Sequence, residues 1–450
     1  MTAAQRAATE GHDGHFQSHY IPNTPAEQAA MLATLGLTSI DELFNDIPAD
    51  FRNPTLDLPS PLSELEIQRE LGALAARNRP LGSGPSFLGA GSYQHFIPSI
   101  VKALITRGEF LTAYTPYQAE ASQGTLQVIY EFQTLISNLF EMEVANAGMY
   151  DGATSLAEAA LMACRVTHRA KVAVLNTVSP AYADVIRTYG QSQDIEVAAV
   201  APESPGLDSE TACLVSQYPN FFGYVEDLGA LTDAAHQQGA LSVVSCDPIA
   251  LGMFQSPGHY GADIVTGEGQ SLGIPTSYGG PYVGLFSCRQ PHIRQMPSRL
   301  SGRTVDRDGK TGYVLTLQTR EQHIRRERAT SNICTNEALY ALASTIYLAA
   351  LGKAGLRQVA ELCYHKAHYA ASRISDLPGF LVPISGTFFK EFVVECPVPP
   401  AEINRKLMGR NILGGLDVSD RISNGMLLCV TEMNSKEDID SLVATLKEAK

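Results

Sequence analysis

Residues 267–281 read Gly-Glu-Gly-Gln-Ser-Leu-Gly-Ile-Pro-Thr-Ser-Tyr-Gly-Gly-Pro, and they follow the strand-like run Ala262–Val265. Such a run bounded by glycines predicts a buried strand that ends in a glycine-rich loop. Loops at the carboxyl ends of parallel strands commonly face a ligand. Gln270 stands in this loop, and the chain has no lysine between Lys171 and Lys310. The loop therefore offers an amide but no amine.

The sequence around this loop alternates between helical patterns and short apolar runs. A long helix is predicted from Gly124 to Glu143, and a second runs through Leu156 to Arg165. Helices are also predicted near 181–189 and 227–238, and strands at 172–175, 197–200, 213–215, 241–244, 262–265 and 282–286. This alternation predicts an α/β fold with a mostly parallel sheet covered by helices on both faces.

The two ends of the chain have other patterns. We expect a disordered polar leader over 1–20 and a helical arm with proline-rich links over 21–95. The large α/β domain then occupies 96–330. Two long helical runs, followed by strand, helix, strand and helix, predict a smaller C-terminal α+β domain over 331–450.

Composition narrows the class of partner. The 450 residues include 33 basic and 47 acidic ones, so the net charge of -14 argues against nucleic acid or an anionic membrane as the main partner. Eight cysteines without C-x-x-C spacing predict buried thiols, and no secretory signal or run of 18 apolar residues occurs. We therefore expect a cytoplasmic protein. The leader histidines lack a cysteine or carboxylate framework and predict no metal site: His12, His15 and His19.

Three segments in chain order form a candidate cofactor site. Asp151, Gly152, Ala153 and Thr154 precede a helix, where backbone N–H groups could hold a phosphate, although such sequences also serve as ordinary caps. Asp247 ends a strand and could pair with a pyridinium nitrogen, or be a turn residue. With the loop around Gln270, this order predicts the fold-type-I scaffold of pyridoxal-phosphate (PLP) enzymes. Glutamine replaces the Schiff-base lysine and can be neither nucleophile nor base.

Longer motifs make the resemblance specific. From Tyr20 to its C-terminus, the chain resembles the alpha, or N-terminal, subunit of the glycine cleavage system P-protein family. The segments that carry this resemblance are Phe110–Gln118, Ser122–Gly124, Met149–Thr154, Gly269–Gly273, Leu317–Gln322 and Ser331–Ile333.

This resemblance implies a division of labour in a heterotetramer. A beta subunit would carry PLP on a lysine that matches Gln270, and this chain would have no catalytic residue and only a vestigial cofactor site. The pair would decarboxylate glycine and transfer the aminomethyl group to the lipoyl arm of the H-protein, together with the other glycine cleavage components. Family members often have a histidine at the position of Ser179. Its absence argues against a stacked PLP, and a helix-capping serine explains it equally well.

Two features leave alternatives open. Tyr114, Pro116 and Tyr117 could line the partner's active site or the lipoyl passage, or they could form a packed turn. The segment Arg289–Arg328, which includes Arg320, has nine arginines and one lysine against four acids. It could bind the acidic carrier or the partner, or form internal ion pairs.

Two rival functions remain at this point. The chain could be a purely structural scaffold, which the sequence does not exclude. It could also be an independent aminotransferase-like PLP enzyme that uses Lys310 or a later lysine. The order of strand and loop around Gln270 disfavours this second function.

Overall fold

The computed structural model describes residues 23–448 except 53, 56 and 334. The predicted leader 1–20 and its histidines lie outside the described residues. The chain divides into two compact units, one up to Asn78 and one from Arg79. Residues 79–95, which the sequence pattern placed in the arm, belong to the second unit.

The first unit holds two helices that begin at capping boxes. The Thr24 hydroxyl accepts the Glu27 N–H, and the Glu27 carboxylate accepts the Thr24 N–H at 2.7 Å. None of the described residues between 23 and 78 is buried. The unit therefore has no core of its own. Its helices are α1 (Pro25–Thr34) and α2 (Glu64–Ala75), with short 3-10 turns at Ile40–Phe44 and Ala49–Phe51.

A seven-stranded sheet forms the large lobe of the second unit. Its order is β1-β7-β6-β5-β4-β2-β3; strands β2 to β6 are parallel, and β7 is antiparallel to both neighbours. This confirms the predicted α/β class and the mostly parallel sheet. The strands are β1 (Val144–Ala145), β2 (Lys171–Leu175), β3 (Glu196–Val200), β4 (Thr211–Tyr218), β5 (Leu241–Cys246), β6 (Ile264–Glu268) and β7 (Gly284–Cys288).

Helices cover both faces of this sheet. Neighbouring residues of one strand belong to different cores. Val243 packs in the core with the helices Gly152–Thr167 (α6) and Pro180–Gln191 (α7), and Val244 packs in the core with the helices Gln123–Phe140 (α5) and Ala338–Ser375 (α10). This is the burial expected of parallel strands with helices on each side. The helices of the second unit are α3 (Ser99–Ile105), α4 (Gly108–Leu111), α5 (Gln123–Phe140), α6 (Gly152–Thr167), α7 (Pro180–Gln191), α8 (Leu228–Gln237), α9 (Gln322–Arg325), α10 (Ala338–Ser375), α11 (Pro400–Gly409) and α12 (Lys436–Lys447).

The small lobe is a three-stranded antiparallel sheet covered by helices. Its strands are β10 (Glu391–Glu395), β11 (Leu416–Asp417) and β12 (Gly425–Cys429), in the order β10-β12-β11. Phe392, Leu428 and Ile439 pack in one core with the second half of α10. The predicted α+β character of this part of the chain is therefore observed.

Helix α10 connects the two lobes. It joins the two predicted helical runs across Gly352, whose φ of 59° interrupts the helical geometry. By length and composition alone α10 could span a membrane, but core helices of soluble proteins pass the same test. Tyr347 in its first half and Ala367 in its second half are fully buried in the two cores. The helix therefore serves as a shared core element.

One hairpin was not predicted. Strands β8 (Leu300–Val305) and β9 (Thr311–Thr316) pair antiparallel, and the turn between them contains Asp308-Gly309. Most of the hairpin is exposed or half-buried, so its sequence lacks the apolar alternation that marks a strand.

We expect Gly223→Ala to destabilise the chain far more than Gly279→Ala. Both glycines have a left-handed φ, of 91° and 95°. A Cβ at Gly223 would lie 1.9 Å from the Glu391 carbonyl oxygen, whereas a Cβ at Gly279 meets nothing within 4 Å. We expect a loss of roughly 1 kcal/mol at Gly279 from backbone strain, and of roughly 3 kcal/mol or more at Gly223. Urea unfolding measures both; equal losses would show that φ alone sets the cost.

Candidate functional site

The carboxyl ends of β5 and β6 meet the start of α6. Asp247 directly follows β5, Glu268 ends β6, and Gln270 lies in the 3-10 turn that comes next. The N–H of Gly152, the first residue of α6, donates to Glu268 Oε2 at 2.9 Å. The fold thus brings the segment 151–154 against the glycine-rich loop, with Asp247 on the adjacent strand.

A small polar cavity of about 40 Å³ lies at this junction. Glu268 and Ser271 line it, whereas Gln270 between them does not. Other lining residues that matter below are Tyr93, Tyr182, Asp247, Lys390 and Glu391. The cavity is therefore surrounded by charged groups and has room for only a few water molecules.

Gln270 acts as a buried strut. Only 2% of its surface is exposed, and its amide nitrogen donates to the Tyr93 and Ile274 carbonyls at 2.9 and 2.8 Å. Its amide oxygen accepts the Tyr93 N–H at 2.8 Å. This pattern needs two donors and one acceptor on one side chain, which an amide supplies and an ammonium does not. Gln270 therefore fixes the segment around Tyr93 to the loop.

The first turn of α6 is capped by carboxyl groups of this chain. Asp151 Oδ1 accepts both the Thr154 N–H and the Thr154 hydroxyl at 2.8 Å. Glu268 accepts the N–H groups of Gly152 and Gln270, each at 2.9 Å. Burial raises the pKa of Glu268 to about 8, although these hydrogen bonds favour the ionised form. The Gly152 and Thr154 N–H groups and the Thr154 hydroxyl, which a phosphate could use at this helix start, are therefore already hydrogen-bonded within the chain.

Asp247 is paired with a lysine from the edge of the small lobe. Its Oδ2 lies 2.7 Å from Lys390 Nζ, and its Oδ1 accepts the Ile249 N–H at 3.0 Å. Asp247 is thus both a turn residue and an ion-pair partner. Burial alone would lower the pKa of Lys390, but the Asp247 carboxylate and other neighbours hold that pKa above its ordinary value. The ammonium also lies 3.5 Å from the centre of the Tyr93 ring, a cation–π contact.

The network extends from Lys390 into the protein interior. Lys390 Nζ lies 3.2 Å from His95 Nε2, and since an ammonium only donates, the proton of His95 is on Nδ1, which bonds Glu432 at 2.7 Å. Among the described residues, His95, Cys363 and Glu432 bring potential metal-ligand atoms within 4.8 Å of one another. Both ring nitrogens of His95 are used within the protein, so hydrogen bonding accounts for this group without a metal ion.

Glu391 completes the polar lining. Its carboxyl group accepts the Ala90 N–H at 2.6 Å and the Tyr93 hydroxyl at 2.8 Å. Burial raises the pKa of Glu391 to about 6. Ser179 directly precedes α7 at the N-cap position, but its side chain makes no capping bond, and its N–H donates to Gln217 Oε1 at 2.8 Å.

Sequence reasoning did not identify Tyr93, Glu268, Lys390 and Glu391 as site residues. Lys390 and Glu391 could have been recognised from the run Phe388-Phe389-Lys390-Glu391-Phe392, where adjacent opposite charges interrupt an apolar strand. Charged residues in such a position are rarely buried unless they are paired. The pattern predicts burial with partners, but it does not identify the partners.

PLP, the cofactor of the fold type, does not fit the site in this arrangement. Ligand pockets usually measure about 300 Å³ or more, far above the cavity seen here. Glu268 and Asp151 already accept the Gly152 and Thr154 N–H groups at the start of α6, and Lys390 forms an ion pair with Asp247. The loop has the amide of Gln270 where the fold type has a lysine.

A second, more open site lies on another surface. A groove of about 270 Å³, here called the Tyr114 groove, is lined by residues of 110–116, 125–129 and 335–342. Tyr114 is 83% exposed and Tyr117 is 56% exposed, whereas Pro116 is buried. Tyr117 packs edge-on against His323, with ring centres 5.8 Å apart. The Tyr114 groove therefore lies beside the arginine-rich segment.

Arg320 points inward. It donates to the carbonyls of Ser298 and Leu317 at 2.9 and 3.1 Å and to that of Met296, and burial lowers its pKa. Seven of the ten cations between 289 and 328 are exposed: Arg294, Arg303, Arg307, Lys310, Arg325, Arg326 and Arg328. Arg320 is therefore not among the exposed cations of this segment.

Comparison with known proteins identifies the family. The family model described as "Glycine cleavage system P-protein" matches residues 18–446. The chain belongs to this family. A P-protein relative from Thermomicrobium roseum, named probable glycine dehydrogenase (decarboxylating) subunit 1, is 54% identical over 96% of this chain and 99% of its own length. A relative of the same name from Desulforamulus reducens is 51% identical over 95% and 99%.

Solved structures agree with the fold. A crystal structure of glycine decarboxylase (P-protein), in inhibitor-bound form, has a TM-score of 0.91 and 43% identity, covering 96% of this chain and 100% of that chain. Glutamate decarboxylase of Lactobacillus brevis has a TM-score of 0.65 at 13% identity, covering 92% of this chain and 96% of its own. The second likeness shows the fold alone, which is the predicted fold-type-I scaffold of PLP enzymes.

We expect Gln270→Lys to destabilise the P-protein chain. The ammonium cannot accept the Tyr93 N–H, which would remain buried without a partner. The new charge would also lie in a site where Gln270 is 2% exposed. We expect a loss of roughly 2–5 kcal/mol in urea unfolding. Gln118→Lys, at an exposed position, is the control and should cost less than about 0.5 kcal/mol. A fully stable Gln270→Lys chain would contradict the strut role.

Proposed function

We propose that this chain is the alpha subunit of a glycine cleavage P-protein and that PLP is carried by a partner beta subunit. The pair decarboxylates glycine and transfers the aminomethyl group to the lipoyl arm of the H-protein. PLP bound in the partner's site would supply an electron sink for the decarboxylation. The relatives named as subunit 1 of the decarboxylating glycine dehydrogenase support this assignment.

The observation that carries the proposal is the role of Gln270. At the loop where the fold type places its cofactor lysine, this chain has an amide whose hydrogen-bonding capacity serves the backbone around Tyr93. No lysine occurs between Lys171 and Lys310, and Lys390 near the cavity is held by Asp247. The residues at 151–154 and Asp247 are therefore assigned to a vestigial cofactor site, with no catalytic residue in this chain.

The Tyr114 groove is proposed to form one wall of the partner's active site or of the lipoyl passage. Its support is the exposure of Tyr114 and Tyr117 beside the groove, because contiguous exposed apolar surface often marks an interaction site. Pro116 and Arg320 are buried and would hold the groove in shape. Their burial is also what a purely structural scaffold would show, and this remains the second candidate function.

The exposed cations between 289 and 328 are proposed to contact an acidic partner. Most of this chain's surface charge is negative, so a cluster of seven exposed cations is a local exception. It lies beside Tyr117, through the contact of that ring with His323 and with the Arg299 guanidinium at 5.8 Å. A carrier that delivers its lipoyl arm to the Tyr114 groove would meet these charges first.

A cytoplasmic location is proposed on the state of the thiols. All seven cysteines in the described part of the chain are free and buried. Free thiols in this number are typical of a reducing compartment.

We expect no covalent PLP on this chain. After incubation of the pair with PLP and reduction with borohydride, mass spectrometry should find the phosphopyridoxyl adduct on the partner chain only. The physical reason is the absence of a free, well-placed amine near Gln270. The same treatment of this chain alone is the control. A stoichiometric adduct on any lysine of this chain would contradict the proposed division of labour.

We expect Tyr114→Ala to lower glycine decarboxylation by the pair about tenfold or more, because an exposed aromatic wall would be lost. The thermal stability of this chain should hardly change, since Tyr114 is 83% exposed. Leu381→Ala, at a position 60% exposed on the small lobe, is the control and should leave the rate unchanged. Unchanged kinetics of Tyr114→Ala, with full pairing, would favour the scaffold function.

A further inference from the structure

The two polar ends of the vestigial cavity face side chains of this same chain. At one end the Gly152 N–H donates to the Glu268 carboxyl group at 2.9 Å. At the other end the Asp247 carboxylate holds the Lys390 ammonium at 2.7 Å. In the fold type these two ends are the places for an anion at a helix start and for a cation beside an aspartate.

We propose that Glu268 and Lys390 occupy, as built-in side chains, the two positions that the charged ends of a cofactor would take. The Glu268 carboxyl group takes the anion position at the start of α6, and the Lys390 ammonium takes the cation position beside Asp247. This inference rests on the proposed absence of a cofactor from this chain and deepens it. The site lacks an amine, and in addition its own side chains close it.

Glu268 provides a hydrogen-bond acceptor at the start of α6, where the Gly152 N–H would otherwise lack one. The first N–H groups of a helix need acceptors and attract negative charge. The two oxygens of Glu268 accept from Gly152 and from Gln270, and the carboxyl group fills this space whether or not it is protonated. A phosphate entering the site would have to displace this side chain and break both hydrogen bonds.

The position of Lys390 pairs a buried ammonium with the carboxylate of Asp247, whose side chain is 13% exposed. Only 1% of the lysine surface is exposed, so the ammonium needs a counter-charge, and Asp247 supplies it. The Tyr93 ring and His95 Nε2 occupy further sides of the ammonium, at 3.5 and 3.2 Å. A second cation, such as a pyridinium, would meet a carboxylate that is already neutralised.

The lysine also links the two lobes. Lys390 directly precedes β10 of the small lobe, and Asp247 directly follows β5 of the large lobe. Their ion pair closes the gap between these strands, and the remaining cavity is about 40 Å³. The ion pair therefore places an ammonium where the cofactor's cation would lie, and it closes the space that the cofactor's ring would need.

Phosphate binding tests the glutamate half of the proposal. Equilibrium dialysis of the full chain with labelled inorganic phosphate should show no saturable binding to the wild type. Glu268→Ala frees the Gly152 and Gln270 N–H groups and should bind phosphate at least about tenfold more tightly. Glu158→Ala is the matched control, because it removes a buried carboxyl group from the same helix beyond its first turn and should behave as the wild type.

If Glu268→Ala fails to fold, Glu268→Gln serves instead, because it keeps the side-chain volume and frees one of the two donors. Phosphate binding to the wild type as tight as to the folded Glu268 variant would overturn the proposal. A folded variant that binds no phosphate would also overturn it.

A double-mutant cycle tests the lysine half. Lys390→Met and Asp247→Asn should each lower the melting temperature by several degrees, because each leaves a buried partner uncompensated. The double variant should lose clearly less than the sum of the two single losses. The half-exposed pair Lys171 and Asp208, 2.6 Å apart, is the control, and the same cycle there should show little change. Additive losses at Lys390 and Asp247 would overturn the proposal.

The two hypotheses can fail separately. A borohydride-trapped adduct on this chain would overturn the proposed function. An adduct-free chain that binds phosphate at Glu268, or that lacks coupling between Lys390 and Asp247, would overturn only the substitution of cofactor charges by side chains.

Discussion

The ion pair between Lys390 and Asp247 is the contact on which the arrangement of the second unit depends. It joins the residue before β10 of the small lobe to the carboxyl end of a central strand, in a place where Lys390 is only 1% exposed. A buried lysine of this kind is tolerable only with a carboxylate within contact distance and further polar neighbours. The Tyr93 ring and His95 supply those neighbours, so one charge requirement draws three separate parts of the chain together.

The segment 85–96 gains its place from the same requirement. Its Phe87 packs in the small-lobe core, its Tyr93 bonds Gln270 and Glu391, and the Phe96 N–H donates to Glu432 at 2.7 Å. Each of these bonds satisfies a buried polar group that would otherwise destabilise the fold. The segment therefore works as a strap across both lobes, and Gln270 is the residue that attaches it to the glycine-rich loop.

The chain shows how one scaffold can keep its architecture while its site changes. Decarboxylases at low sequence identity share the fold, and fold likeness at that level carries no function by itself. The difference lies in a few side chains at the ends of β5 and β6. An amide replaces an amine, and neighbouring carboxyl and ammonium groups fill the polar positions around it. Conversely, the Tyr114 groove is an exposed surface distinct from that cavity, and it is the surface that we propose for the partner.

The sequence by itself determined the fold class, the alternation of strands and helices, the missing lysine and the family. These features depend on local periodicity, on glycine and proline positions and on contiguous motifs. All of them can be recognised from the order of the residues alone. It also placed Asp151, Thr154 and Asp247 near the site, since residues after parallel strands and at helix starts meet at one sheet edge. The exposed hairpin of β8 and β9 was not predicted, because its strands have little apolar alternation.

Only the tertiary structure decided the contacts of the site. Lys390 and Asp247 are more than 140 positions apart, and Tyr93 and Gln270 are separated by 177. No local pattern specifies which buried charge will meet which counter-charge, because the pairing is settled by how the two lobes pack. The burial of Arg320 could not be predicted for the same reason. An arginine in a basic stretch has the same local sequence whether its side chain faces solvent or donates to backbone carbonyls inside the protein.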